Sequence, residues 1–248
     1  MGSHVLEAAG RIRSNRYPGA DVVLAAGSLL RDEGTAYSDL DLVVVYARLD
    51  HAYRESFRFD GVPVEAFVHD PSTLEYFFLE VDAPGGVPSL AQMVIEGVEV
   101  PRPTALSRAV KARAAAVIAA GPPALDEESE RRMRYFVSDL LDDLRAPRSR
   151  DETIGAGTRL YEELATYVLR RRGFWAAKGK AIPRRLRLVD PGLRDAYGHA
   201  FAELFANGNA ESVIRLAEDL LRDAGGPLFD GFRLDAPASW KRQPPTGE

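Results

Sequence analysis

The chain has 248 residues, which fits one or two domains at roughly 100–200 residues each. It contains no cysteine, which excludes disulfide scaffolds, thiolate zinc sites, thiol nucleophiles and iron–sulfur clusters. The net charge of −5 argues against a dedicated polyanion binder, and no apolar run approaches the roughly 18 residues that span a bilayer.

In chain order, a helix is predicted over Val5–Asn15 and a buried strand over Val22–Ala26. Asp41–Tyr46 reads as a second strand. Ser56–Asp60 and Val62–Val68 read as a hairpin turning at Asp60-Gly61. A short helix is expected at Ser72–Leu79. Near residue 104 the pattern changes from short β-rich runs, punctuated by Gly, Pro and Asp, to helical periodicity. Helices are predicted at Thr104–Ala120, ended by Gly121-Pro122-Pro123, and at Glu127–Leu144, capped by Asp126. The second carries an apolar stripe of Met133, Phe136, Val137, Leu140, Leu141 and Leu144. Thr158–Arg172, Pro191–Phe205 and Ala210–Ala224 follow the same logic. The Pro-rich tail from Asp230 is expected to wrap loosely, and Trp175 and Trp240 to pack rather than stack on a ligand. The expected organisation is an N-terminal α/β domain, residues 1–103, followed by a helical domain, residues 104–248.

The stretch from Gly27 to Val45 carries the chemistry. Gly27-Ser28 ends the first strand, and glycine lets a backbone come close to a ligand. A helix starting at Ser28 would aim free N–H groups at a phosphate, with the Ser28 hydroxyl as a further donor. Asp39-Leu40-Asp41 opens the next strand. A period of two puts both carboxylates on one face and Leu40 on the other. Two like charges side by side need neutralising, and a divalent cation does that. Oxygen ligands suit Mg²⁺ completed by substrate phosphates. Glu65 alternates with apolar neighbours in its own strand and can face the same side. Three carboxylates could hold two metals about 3.5–4 Å apart, an arrangement for in-line phosphoryl displacement. Taken singly these elements are a turn, a solvated strand end and the polar face of a hairpin; the order in which they occur together is what is specific.

That order resembles the nucleotidyltransferase superfamily of the DNA polymerase β type. Its signature is a strand, Gly-Ser or Gly-Gly, roughly ten residues, Asp-x-Asp or Asp-x-Glu, and a third acid on a later strand. Here residues 29–38 separate Ser28 from Asp39. The resemblance implies an α+β fold, with an N-terminal nucleotidyltransferase domain on a mixed sheet and a C-terminal helical bundle. It implies that Asp39, Asp41 and Glu65 hold two Mg²⁺ ions and that Gly27 and Ser28 contact the phosphates of ATP or another nucleoside triphosphate. Ser38 and Arg31 are further candidates for phosphate or loop contacts, Arg31 being otherwise a surface residue.

The helical second half is more similar to the antibiotic nucleotidyltransferases, the kanamycin enzymes especially. In those a helix of the second domain supplies a carboxylate base to the acceptor hydroxyl. Asp142, in Asp139-Leu-Leu-Asp142-Asp143, is the position that matches it; the alternative is a solvated acidic helix face. The family's lysine one turn later is Ala146 here, which places triphosphate binding by this helix in doubt. Cations from Arg170 to Arg187, Lys178 and Lys180 among them, are the alternative grip on the triphosphate, or on an anionic acceptor, if they form a loop over the site; otherwise they are a solvated basic loop. His69 either approaches the site or is satisfied locally.

The expected reaction moves AMP from ATP to a hydroxyl of a small-molecule acceptor, an aminoglycoside-like amino sugar fitting the acids of residues 126–143. The alternatives are AMPylation of a protein, as in antitoxin-type nucleotidyltransferases, and a non-catalytic nucleotide-binding protein. The acidic balance disfavours a nucleic-acid acceptor, no membrane partner is expected, and relatives suggest a homodimer. With no secretory leader, a cytoplasmic protein is expected.

Overall fold

The computed structural model describes residues 2–31 and 33–241. Their contacts divide the chain into two compact units, residues 1–123 and 124–248.

The first unit is built on a five-stranded mixed sheet in the order β3-β4-β2-β1-β5. Helix α1 (Gly2–Arg16) precedes β1 (Val22–Ala26) and β2 (Leu40–Val45). Strands β3 (Tyr53–Phe59) and β4 (Val62–His69) form the hairpin. Its turn is made by Asp60 and Gly61, at φ 48° and 82°. Two successive positive φ values give the turn the twist a tight hairpin needs, and glycine takes one of them without steric cost. Helix α2 (Pro71–Tyr76) runs on through a π-helical turn, Phe77–Asp82, and α3 (Ala83–Gly85). Helix α4 (Ser89–Glu96), edge strand β5 (Val98–Val100) and α5 (Ala105–Ala120) complete the unit.

β2 runs antiparallel to β1 and parallel to β4, and β1 also pairs antiparallel with β5. Every residue of β1 is buried, and so is all of β2 except Asp41. Side chains of one parity (Val23, Ala25, Leu40, Leu42, Val44, Val64, Ala66 and Val68) form one core with Ala9 and Ile12 of α1. Each fully buried Val or Leu contributes about 1.5–3 kcal/mol, so the centre of the sheet is a firm base for whatever stands at its ends.

The contacts place α5 with the first unit, so the units divide at 123/124, beyond the change of composition near residue 104. Thr104 caps α5 through a capping box and donates to Asp21. Lys111 Nζ reaches the Gly97 carbonyl at 2.6 Å and Glu99 at 3.0 Å, and Arg113 holds Glu75 with two hydrogen bonds of 2.6 and 2.7 Å.

The second unit is helical: α6 (Glu127–Arg145), α7 (Arg150–Arg171), α8 (Ile182–Val189), α9 (Pro191–Asn207) and α10 (Glu211–Leu221). Val137, Leu140, Leu141 and Leu144 of the expected stripe are buried, with Met133 and Phe136 partly so. The tail is anchored as far as Phe232, which stacks on Tyr135 at 3.9 Å between centroids. Residues 242–248 of the tail lie outside the described residues. Trp175 packs in the interior, whereas Trp240 is exposed. Among the described residues no helix is long and apolar enough to cross a membrane.

Candidate metal centre

The parallel pairing of β2 and β4 sets Asp41 opposite Glu65. Residues directly opposite in a ladder project to the same face, and that face is not the one carrying Leu42 and Ala66. Asp39 lies two residues before Asp41, where the chain enters β2. One carboxylate oxygen from each of Asp39, Asp41 and Glu65 lies within 4.8 Å of the others. All three are partly buried, and among the described residues this is the single cluster of its kind. The two aspartates and the glutamate expected to converge therefore do so.

Gly27 is built into the same end. β1 pairs with β2 so that Ala26 faces Asp41, and the chain then leaves the strand at Gly27 with φ 91°. A side chain here would be doubly opposed. The positive φ disfavours any L-residue, and a Cβ would come 3.1 Å from Asp41 Cγ, with the carboxylate oxygen closer still. The absence of a side chain makes the room that the Asp41 carboxylate fills.

No helix starts at Ser28. Its carbonyl accepts from the N–H groups of both Arg31, at 3.2 Å, and Glu33, at 3.1 Å, which closes a single turn. The expected helix N-terminus is thus replaced by a turn. Ser28 Oγ donates to Ser38 Oγ at 3.1 Å, and Ser38 Oγ accepts from Thr35 N–H at 2.9 Å. Ser38 is therefore a loop contact that ties the two ends of the loop together beside the carboxylates. The Arg31 guanidinium is held by Glu33 and by Glu96 of α4, each at 3.0 Å.

Glu65 has a partner that sequence reasoning missed. Arg54 Nη2 donates to Glu65 Oε2 at 2.6 Å. The hairpin strand expected from Ser56 leaves Arg54 outside it, whereas β3 begins at Tyr53. The alternation Tyr53-Arg54-Glu55-Ser56-Phe57 was the available signal.

His69 ends β4 opposite Val45, four residues along from Glu65. At about 3.3 Å per residue it stands some 13 Å from the carboxylates along the strand. It is satisfied locally, with Nδ1 3.2 Å from Thr73 Oγ1 and the ring edge-on to Phe77. Burial pushes its pKa down to about 4.

Within the second unit, Asp142 is exposed on α6 and paired with Arg145, which also reaches Glu218. With Asp143, Arg148 and Glu152 it lines a surface depression of about 530 Å³. The basic stretch is not one loop. Arg170 and Arg171 end α7, Arg172 pairs with Asp190 at 3.0 Å, and Arg184, Arg185 and Arg187 lie in α8. Lys178 and Lys180 are exposed between these helices.

No family model matches the sequence, and comparison with curated proteins gives no match. Among solved structures, the chain is similar to a nucleotidyltransferase-like protein from Exiguobacterium sibiricum 255-15. The two are 19% identical, over 88% of this chain and 74% of that one, with a TM-score of 0.41. A likeness at that level carries no functional argument; the geometry of the carboxylates does.

Proposed function

We propose that the protein is a Mg²⁺-dependent nucleotidyltransferase of the DNA polymerase β type, moving AMP from ATP to a hydroxyl of a small, amine-bearing acceptor. The observation that carries this reading is the convergence of Asp39, Asp41 and Glu65 beside the Gly27-Ser28 turn. Three partly buried carboxylates with no nitrogen or sulfur among them form a hard-oxygen donor set, which fits Mg²⁺ rather than a softer metal.

Asp39, Asp41 and Glu65 would hold the metal; when bound, it supplies charge neutralisation at the reacting phosphate. The rest is the work of the chain. Gly27 lets the backbone approach the phosphates, and Ser28 Oγ, which donates to Ser38 Oγ at 3.1 Å, would exchange that bond for one to a phosphate oxygen. The acceptor oxygen forms a bond to the α-phosphorus, the bond from that phosphorus to pyrophosphate breaks, and a carboxylate base takes the hydroxyl proton. Within the second unit, the depression lined by Asp142, Asp143, Arg148 and Glu152 keeps an excess of acids over its one arginine, which supports an acceptor with positive charge, as an amino sugar has.

The test is turnover of α-labelled ATP with Mg²⁺ and a panel of amino sugars. The reading predicts labelled acceptor and released pyrophosphate. It also predicts that Asp41→Asn lowers turnover by at least about a hundredfold, the scale of removing one preorganised electrostatic group, with the circular-dichroism spectrum unchanged. Undiminished turnover in Asp41→Asn overturns the metal assignment, and label appearing on protein rather than on any amino sugar redirects the acceptor.

A further inference from the structure

An arginine ties the segment between β1 and β2 to α4. Residues 33–37 are exposed and have no regular structure of their own, yet they lead from Ser28 to the carboxylates. Leu29 and Leu30 pack partly against the sheet core, and the Arg31 N–H closes the turn onto the Ser28 carbonyl at 3.2 Å. The Arg31 side chain then leaves the turn. Its Nε donates to Glu33 Oε2 within the segment, and its Nη1 donates to Glu96 Oε2 on α4, each at 3.0 Å. The other oxygen of Glu96 is engaged as well. Gln92 Nε2, one turn earlier on the helix, donates to Glu96 Oε1 at 2.7 Å. Glu96 thus meets Arg31 with its carboxylate already oriented.

The helix that carries Glu96 is itself fixed to the sheet. Leu90, Ala91 and Val94 are its buried face. At its start the buried Asp82 carboxylate accepts from the N–H groups of Leu90, at 2.9 Å, and Ala91, at 3.3 Å. At its end a Cβ on Gly97 would come 2.8 Å from Leu24 Cβ, so the helix finishes hard against β1, the strand that delivers Gly27. β5 follows and pairs with that same strand. Glu96 therefore holds one place relative to β1, and Arg31 passes it on to the turn that carries Ser28.

Resting on the reading of the Gly27-Ser28 turn as the phosphate side of the site, we propose that Glu96 is a positioning residue for nucleotide binding. Through Arg31 it fixes the turn so that Ser28 meets the phosphates, and Arg31 serves as the tie rather than as a phosphate ligand. A binding loop clamped to a helix keeps the geometry that a free loop loses. The two side chains are 32% and 34% exposed, so the effect has the size of a surface ion pair.

The experiment is calorimetric titration of the full chain with a non-hydrolysable ATP analogue at saturating Mg²⁺, for wild type, Glu96→Gln, Arg31→Gln and the double variant. Glu96→Gln is expected to weaken the analogue by about three- to fivefold, and Arg31→Gln by a similar factor. The double variant is expected to lose no more than either single one, because both remove the same tie. Mn²⁺ affinity without nucleotide and the melting temperature are expected to stay at wild-type values. Unchanged or tighter binding by Glu96→Gln overturns the proposal, since a guanidinium freed to reach phosphate would tighten it. An Arg31→Gln loss exceeding that of Glu96→Gln by about tenfold or more also overturns it, as the mark of direct contact with phosphate. Losses that multiply in the double variant, or a matching fall in Mn²⁺ affinity or melting temperature, overturn it too. Asp41→Asn, run alongside, separates the two ideas. If it abolishes analogue binding while Glu96→Gln binds as wild type does, the nucleotide site stands and the role of Glu96 falls. If wild type does not bind the analogue, both fall.

Discussion

Gly27 shows how a single residue type can be dictated by the side chain opposite it. Its φ of 91° and the Asp41 carboxylate lying over it leave no room for a methyl group. Gly27→Ala is expected to cost about 1–2 kcal/mol from the backbone alone. It should also displace Asp41, and misplacement of a reacting group by about 1 Å costs on the order of a hundredfold in rate. Thermal melting and Mn²⁺ affinity measured on the same variant check both parts. His69 gives a prediction of a different kind. Burial holds its folded pKa at about 4, below the ordinary 6.5, so the unfolded chain takes up the proton first as pH falls. The stability it contributes is complete above pH 6.5 and is lost as pH falls towards 4, by on the order of 2–3 kcal/mol. Urea unfolding at pH 7.5, 5.5 and 4.0 should show His69→Leu losing less stability than wild type over that range; equal losses would contradict the assignment.

At the scale of elements, caps and turns decide where segments stop. Gly61 sits at φ 82° with nothing within 4 Å of where a Cβ would stand. Gly61→Ala should therefore cost only the conformational penalty, about 1–2 kcal/mol, seen as a lower melting temperature with the site intact. Thr104→Ala removes both the α5 cap and the hydrogen bond to Asp21, and should cost about 1–2 kcal/mol in chemical denaturation. The same local logic explains what could be read from the sequence. β1, the Asp60-Gly61 hairpin, α5 and α6 announce themselves through apolar runs, turn residues and caps. β5 does not, because three residues have no periodicity and owe their strand state to pairing with β1. The start of α7 was hidden by Gly155 and Gly157, residues that disfavour helix. Gly157 lies where a Cβ would come 2.7 Å from Leu204 Cδ2, so close packing against α9 explains its presence there. α8 was masked by its arginines, although Ile182 and Leu186, one turn apart, are its buried face. The acid triad was legible because two strands and a period of two suffice to align it. Arg54 was not, since its role depends on which residue lies across the hairpin.

At the scale of the molecule, the division at 123/124 makes α5 part of the sheet-bearing unit. A fragment of residues 1–123 should unfold cooperatively, whereas one ending at 103 would lose the Lys111 and Arg113 contacts and the buried Val110, Ala114 and Val117. Urea titrations of the two fragments would show it, and equal cooperativity in both would contradict the assignment of α5. Assigning function to the whole chain comes down to whether Asp39, Asp41 and Glu65 hold a metal. The most direct measurement is anomalous scattering from crystals of the full chain grown with Mn²⁺ and a non-hydrolysable ATP analogue. The account predicts a peak about 2.0–2.2 Å from carboxylate oxygens of all three residues, with the analogue's phosphates completing the shell. A bound analogue with no peak at the triad, or a peak that leaves Glu65 out while the two aspartates engage, would contradict it.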